Sequence, residues 1–264
     1  MSTQALLHGQ ALPGFCAASA GLGAIFGSFL GVVAERLPAW IRQEAGAGNL
    51  LYPPSHCPAC QHRLSAWENI PLIGWLLLRG RCRQCKTPIP ARLLLMELLS
   101  ALFFAISAWL SPSLPVMLAL WLLWCGLLPL AVIDLRERLL PDALTQPLLW
   151  AGLLLNLHLH LVPLADALYG AVAGYLTLWL VYWGHRLATG REGLGYGDFK
   201  LLAALGAWCG WQALPSLLLI AAGGGIVGWA ICFKRRNDHF IPFGPFLAFA
   251  GLLIFILQHV FPIF

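Results

Sequence analysis

Two aspartates and four cysteines are the residues of this chain whose types and spacing can do chemistry. Asp134 closes an apolar run, in Ala-Val-Ile-Asp134-Leu-Arg-Glu-Arg-Leu-Leu-Pro-Asp142, and Asp198 opens another, in Gly195-Tyr-Gly197-Asp198-Phe-Lys200. A carboxylate at the edge of a stretch of apolar side chains is expensive to keep there, which marks it as a candidate functional group. Two such groups in one partly dry place hold a single proton between them. The ionised partner can act as general base on a water while the protonated one polarises a carbonyl. That chemistry hydrolyses a peptide bond with neither a covalent intermediate nor a metal. Gly195 and Gly197 let the backbone approach an extended substrate or turn sharply. Asp142 reads as a supporting residue that caps the helix after Pro141, where a carboxylate satisfies free N–H groups. Asp166, after Pro163, reads as a cap too, and Lys200 as a second supporting residue. For either catalytic candidate alone, the competing reading is an interfacial cap or an ion pair with Arg136 or Lys200.

Cys57-Pro-Ala-Cys60 and Cys82-Arg-Gln-Cys85 form two C-x-x-C knuckles. Two such turns can set four thiolates tetrahedrally around Zn²⁺, a closed structural site with no open position for water. The segment that holds them is poor in apolar residues, so metal binding would supply folding free energy. Reducing conditions disfavour disulfides, and redox or incidental pairs are the alternative. His56 and His62 flank the first knuckle as substitute ligands. Cys16, Cys125, Cys209 and Cys232 lie singly in apolar runs and read as small buried hydrophobes.

The elements that carry these residues follow from composition. Of 264 residues, 59% are hydrophobic and 10% charged, where a soluble domain has roughly a quarter charged. Runs of about 20 apolar residues can cross the hydrocarbon layer, and the sequence predicts an all-α polytopic membrane protein. Eight spans are expected, near residues 12–34, 93–110, 114–133, 144–162, 167–183, 201–212, 216–233 and 243–264. The short sixth is set off by an interruption around Gln212 to Pro215. With the amino terminus outside, all 16 Lys and Arg, from Arg36 to Arg236, fall on inner segments, as the positive-inside rule favours. The net charge of +5 thus reports membrane orientation, and no basic, aromatic-rich stripe for nucleic acid is present. The Gly223-Gly224-Gly225 and Gly228 run suits close helix packing rather than phosphate. Arg235 and Arg236 are placed to meet anionic lipid heads. The expected domains are a first transmembrane helix over 1–36, a small cytoplasmic zinc-binding domain over 37–91, and a seven-helix core over 92–264.

Those residues carry a family likeness. The chain resembles the type IV prepilin peptidases, GxGD-type aspartic enzymes of the bacterial inner membrane that serve type IV pili and type II secretion. Matching stretches are Gly27-Ser28-Phe29-Leu30 through Arg36-Leu37-Pro38, both knuckles, Asn69-Ile70-Pro71-Leu72, Arg79-Gly80-Arg81-Cys82, Glu97-Leu98-Leu99, Asp134 to Asp142 and Gly195 to Gly206. The resemblance implies eight helices around an aspartyl pair, Asp134 and Asp198. It also implies cleavage of a short basic leader after Gly, at the cytoplasmic face, from prepilins or pseudopilins. Methylation of the new amino-terminal Phe would follow, with S-adenosylmethionine as donor and Gly80 and Arg81 at the methylation-sensitive positions. Glu35, Glu68 and Glu97 are then candidates for a methyl-acceptor or cofactor site, or else helix caps or partners of nearby arginines. No glycine-rich dinucleotide fingerprint accompanies them. The sequence departs from the family at Gly31, where Asn is usual, and at Leu93, where Tyr is frequent. Two other classes compete. One is a proton-coupled transporter with relaying carboxylates, and the other a non-catalytic component of the secretion assembly.

Overall fold

A computed structural model describes residues 12–44, 49–50, 52–190, 195–233 and 242–261. Arg191, Lys234, Arg235 and Arg236, expected on the inner face, lie outside the described residues, as does the Cys232 side chain. The chain divides into two compact units, Met1–Ser111 and Pro112–Phe264.

In the first unit α1 (Leu12–Ile41) packs lengthwise on α3 (Ala91–Leu110), and the polar segment between them carries the short α2 (Ile73–Leu77). Small residues let the two long helices close. A Cβ on Gly23 would meet Phe104, and one on Gly27 would stand 2.7 Å from the Glu97 Cα. The compact division therefore falls after α3, whereas the sequence had placed that helix in the core beginning at residue 92. Its packing partner within the unit is α1.

Among the described residues the second unit holds six α-helices. They are α4 (Leu114–Glu137), α5 (Asp142–Leu159), α6 (Leu164–Thr189), α7 (Tyr196–Cys209), α8 (Leu214–Gly228, running on through a wider π turn, Trp229–Phe233) and α9 (Gly244–His259). Together with α1 and α3 they answer one for one to the eight expected spans. Among the described residues there is no β-strand beyond two isolated bridges. Helices α1, α3, α4, α6 and the stretch Trp211–Ile231 are long and apolar enough to cross a membrane, and α9 is a shorter apolar helix.

The sixth expected span is the centre of its unit. At 1.5 Å per residue α7 is only about 21 Å long, short of the roughly 30 Å hydrocarbon layer. It tolerates this because every residue from Asp198 to Cys209 except the half-buried Lys200 is buried by other helices. Gly170 of α6 and Gly206 of α7 face each other so closely that a Cβ on either would strike the other's carbonyl. The Trp208 indole N–H donates to the Leu148 carbonyl at 2.8 Å, and the Asn156 amide donates to the Ala207 carbonyl at 2.9 Å. Interhelical bonds of this kind supplement packing where no hydrophobic effect drives helices together. The interruption after α7 is Gly210, at φ 82, followed by one 3₁₀ turn over Trp211–Ala213.

Candidate active site and metal centre

Asp134 and Asp198 are held by different devices at the ends of two helices. Asp134 sits in the last turn of α4, just before Arg138 ends the helix at φ 52. Asp198 sits in the first turn of α7, where the Gly195 carbonyl accepts its N–H at 3.2 Å. Both side chains are buried, at 6% and 8% exposure, and they lie close enough to interact electrostatically. The Gly244 N–H, at the start of α9, donates to Asp134 Oδ2 at 2.9 Å, and Gly195 lies against the other carboxylate, where a Cβ would stand 3.5 Å from Asp198 Oδ2. Neither aspartate is neutralised in the way the competing reading required. Arg136 lies 3.7 Å from Glu137, and Lys200 Nζ lies 2.6 Å from Asp142 Oδ1.

Two residues that sequence reasoning passed over complete this arrangement. Gly244 leaves room for the carboxylate, since a Cβ there would stand 2.8 Å from Asp134 Oδ2. Leu140, buried in the link after α4, fills the space beside two glycines. A Cβ on Gly197 would lie 2.7 Å from its Cβ, and one on Gly244 would lie 3.1 Å from its Cδ2. Gly197 therefore gives its space to Leu140, not to an approaching substrate, while Gly195 is the glycine at the carboxylate. The signal available in the sequence was Pro242-Phe-Gly244-Pro245, a glycine beside the proline that opens an apolar helix.

Two capping expectations are corrected. Asp142 makes no side-chain cap bond on α5; both its oxygens accept from Lys200 Nζ, at 2.6 and 2.7 Å, joining α5 to α7. Asp166 makes none on α6; it accepts from the Trp211 indole at 3.1 Å and the Gln212 amide at 3.0 Å. In each case a charged or strong donor on a neighbouring helix outcompetes the local backbone. The glycine run behaves as expected on one face, with Gly224 and Gly228 packed on the Phe246 ring of α9.

In the first unit the four thiols converge. All four sulfurs lie within 4.8 Å of one another, with Cys57–Cys85 at 3.6 Å and Cys60–Cys82 at 3.8 Å. Tetrahedral coordination at about 2.3 Å sets sulfurs about 3.8 Å apart, so the cluster fits zinc. The knuckles are built alike. Gln61 N–H returns to the Cys57 carbonyl and Lys86 N–H to the Cys82 carbonyl, and Gln61 and Lys86 are both left-handed, at φ 58 and 61. The Thr87 hydroxyl and backbone bring the Cys85 thiol down to about 6, while burial and the neighbouring thiols push Cys60 up to about 12, so Cys85 is the first of these two to give up its proton. The flanking histidines turn elsewhere. His56 Nδ1 is 2.9 Å from the Pro54 carbonyl, and His62 Nε2 is 3.4 Å from Glu68.

The three glutamates weighed as methyl-site candidates each have a structural partner. Glu35 pairs with Arg92 at 2.7 Å, Glu68 accepts from the Ser65 hydroxyl and N–H, and Glu97 accepts the Leu72 N–H at 2.7 Å. Gly80 is buried at φ 66 beneath the Trp75 ring, which a Cβ would touch at 2.6 Å; Arg81 beside it is exposed. The two departures from the family pattern meet: a Cβ on Gly31 would stand 3.0 Å from Leu93 Cδ2. A smaller residue on α1 thus faces a smaller one on α3.

A helical membrane protein with a paired-carboxylate site and a tetracysteine cluster is the class this arrangement defines. Residues 22–111 match the bacterial peptidase A24 N-terminal domain and residues 121–232 the type IV leader peptidase family, and the chain belongs to that family. Its relatives include prepilin leader peptidase/N-methyltransferases of three bacteria. That of Aeromonas hydrophila is 50% identical over 86% of this chain and 85% of its own. Those of Dickeya chrysanthemi and Stutzerimonas stutzeri are 48% and 47% identical, over 90% and 87% of this chain and 90% and 86% of theirs. No solved structure gives a significant match.

Proposed function

We propose that the chain removes the basic leader of type IV prepilins or type II pseudopilins after Gly, at the cytoplasmic face of the bacterial inner membrane. Asp134 and Asp198 share one proton. The ionised carboxylate takes a proton from the attacking water, and the protonated one donates to the scissile carbonyl. Gly195 and Gly244 orient the carboxylates, and the Asp142–Lys200 pair and Leu140–Gly197 contact hold the helix starts. The observation that carries this reading is a pair of buried carboxylates from distant segments, with Arg136 and Lys200, the basic residues nearest them in sequence on the helices that carry them, bonded to Glu137 and Asp142 instead. A proton-coupled transporter and a passive assembly component are disfavoured by relatives that are all named as enzymes. The positive-inside pattern supports an outer amino terminus and a cytoplasmic knuckle segment.

The same protein then N-methylates the exposed Phe. S-adenosylmethionine, when bound, supplies an electrophilic methyl group. Gly80 is closed by Trp75, so Gly80 and Arg81 act on this step through the shape of their turn. Room for the donor lies in a groove of about 370 Å³ in the same unit, lined by residues including Phe29, Arg36, Ser55 and Asn69, a volume in the range of small-molecule sites. Cys57, Cys60, Cys82 and Cys85 hold a structural Zn²⁺. The deciding experiment is processing of a prepilin by purified Asp134→Asn and Asp198→Asn variants. Each is expected to lose at least about 10³-fold in rate, within the range for a removed acid–base group. Cleavage retained in either variant removes the proposal.

A further inference from the structure

The polar segment between α1 and α3 carries an apolar face that neither cleavage nor the metal uses. On the spans, exposed leucines face acyl chains; on a segment of metal knuckles an exposed apolar cluster calls for another cover. Helix α2 turns Gly74 inward, where a Cβ would strike the Glu68 carbonyl. That turns Ile73, Leu76 and Leu77, spaced i, i+3 and i+4, outward together. They are 52%, 61% and 67% exposed, and Ile70, just before, is 44% exposed. Basic side chains follow at once. Arg79, Arg81, Arg83 and Lys86 are all exposed, and the Arg83 guanidinium lies 5.4 Å from the centre of the half-exposed Trp67 ring.

A separate contact fixes the height of this face. The Leu72 N–H, at the start of α2, donates to the Glu97 carboxylate at 2.7 Å. Glu97 lies in the second turn of α3, itself apolar and long enough to span, and abuts Gly27 of α1. Helix α2 therefore begins level with the second turn of a spanning helix, not out in solution. An apolar face at that height with a basic flank has the make-up of an interfacial anchor.

We propose that α2 docks on the leaflet adjoining its segment. Ile70, Ile73, Leu76 and Leu77 enter the acyl boundary, and Arg79, Arg81, Arg83 and Lys86 contact anionic phospholipid headgroups. The docking holds for whichever membrane face the segment occupies and does not rest on the peptidase reading. The test uses the full chain in nanodiscs of phosphatidylcholine with or without phosphatidylglycerol. A photoreactive p-benzoyl-phenylalanine replaces Leu77, or in parallel preparations Ile73 or Ile70, with zinc content as the check on folding. Irradiation should give phospholipid adducts at all three positions. Each basic side chain near an anionic surface strengthens association by roughly fivefold. Adduct yield should therefore fall several-fold without phosphatidylglycerol, or in an Arg79→Gln, Lys86→Gln double variant. Adducts only within the chain, or only to an added prepilin peptide, overturn the proposal, as does a zinc-loaded protein giving none at all.

Discussion

Gly244 is where one added methyl group reaches the paired carboxylates most directly. Its N–H aims Asp134, and its missing Cβ leaves the 2.8 Å that the carboxylate oxygen occupies. Gly244→Ala keeps the donor but pushes the acceptor aside, and misplacement of a reacting group on the ångström scale can lower a rate about 10²-fold. We expect kcat for leader cleavage to fall about 10- to 100-fold with KM little changed; a variant with wild-type kcat would show that Asp134 needs no such alignment. Glu68 makes a prediction of a different kind. The Ser65 hydroxyl and N–H hold its carboxyl below the ordinary value. Its contribution to the knuckle segment is therefore fully present above about pH 4.3, the unfolded value, and fades as pH falls through the lower folded one. Thermal melts of wild type and Glu68→Gln should differ at pH 7 and converge in acid. A gap that widens in acid would have the wrong sign.

At the scale of elements, α7 shows why a helix too short to span can still carry a functional group. Its burial on all sides removes the need to match the bilayer, and close approach to α6 depends on the Gly170–Gly206 contact. Gly206→Ala drives a Cβ into a backbone carbonyl that cannot give way as a side chain would. Overpacking of this sort destabilises by about 1–3 kcal/mol. The loss should appear as a lower melting temperature in detergent together with slower leader cleavage, because Asp198 rides on the same helix. Helices α1 and α3 offer a paired case. Gly31→Asn alone should lower stability by crowding Leu93, and Leu93→Ala should recover part of it. Strictly additive effects in that double-mutant cycle would mean the two positions do not touch.

For the whole molecule, the division at Ser111 puts the thiol cluster in one unit and the carboxylates in the other. Metal bound at the four cysteines stabilises the fold that binds it. Removing zinc with a chelator, or by Cys57→Ser, should raise hydrogen exchange across residues 57–90 while exchange in α7 stays slow. Equal loosening of both regions would show that the metal supports the entire bundle.

Several of these features could be read from the chain alone, because they depend on local composition and spacing. Apolar runs located the helices, although α1 and α6 run on six or seven residues past the ends read from them, and two C-x-x-C turns carry their geometry within themselves. Asp134 and Asp198 stood out because a carboxylate is anomalous in its own apolar neighbourhood. What each residue faces is another matter, since it depends on which helix lies alongside, and nothing local encodes that. Hence Asp142 and Asp166 bond across to other elements, Gly197 makes way for Leu140, and α3 packs on α1. Gly244, 110 positions from the carboxylate it aligns, acquires its role only when α9 folds back against the end of α4.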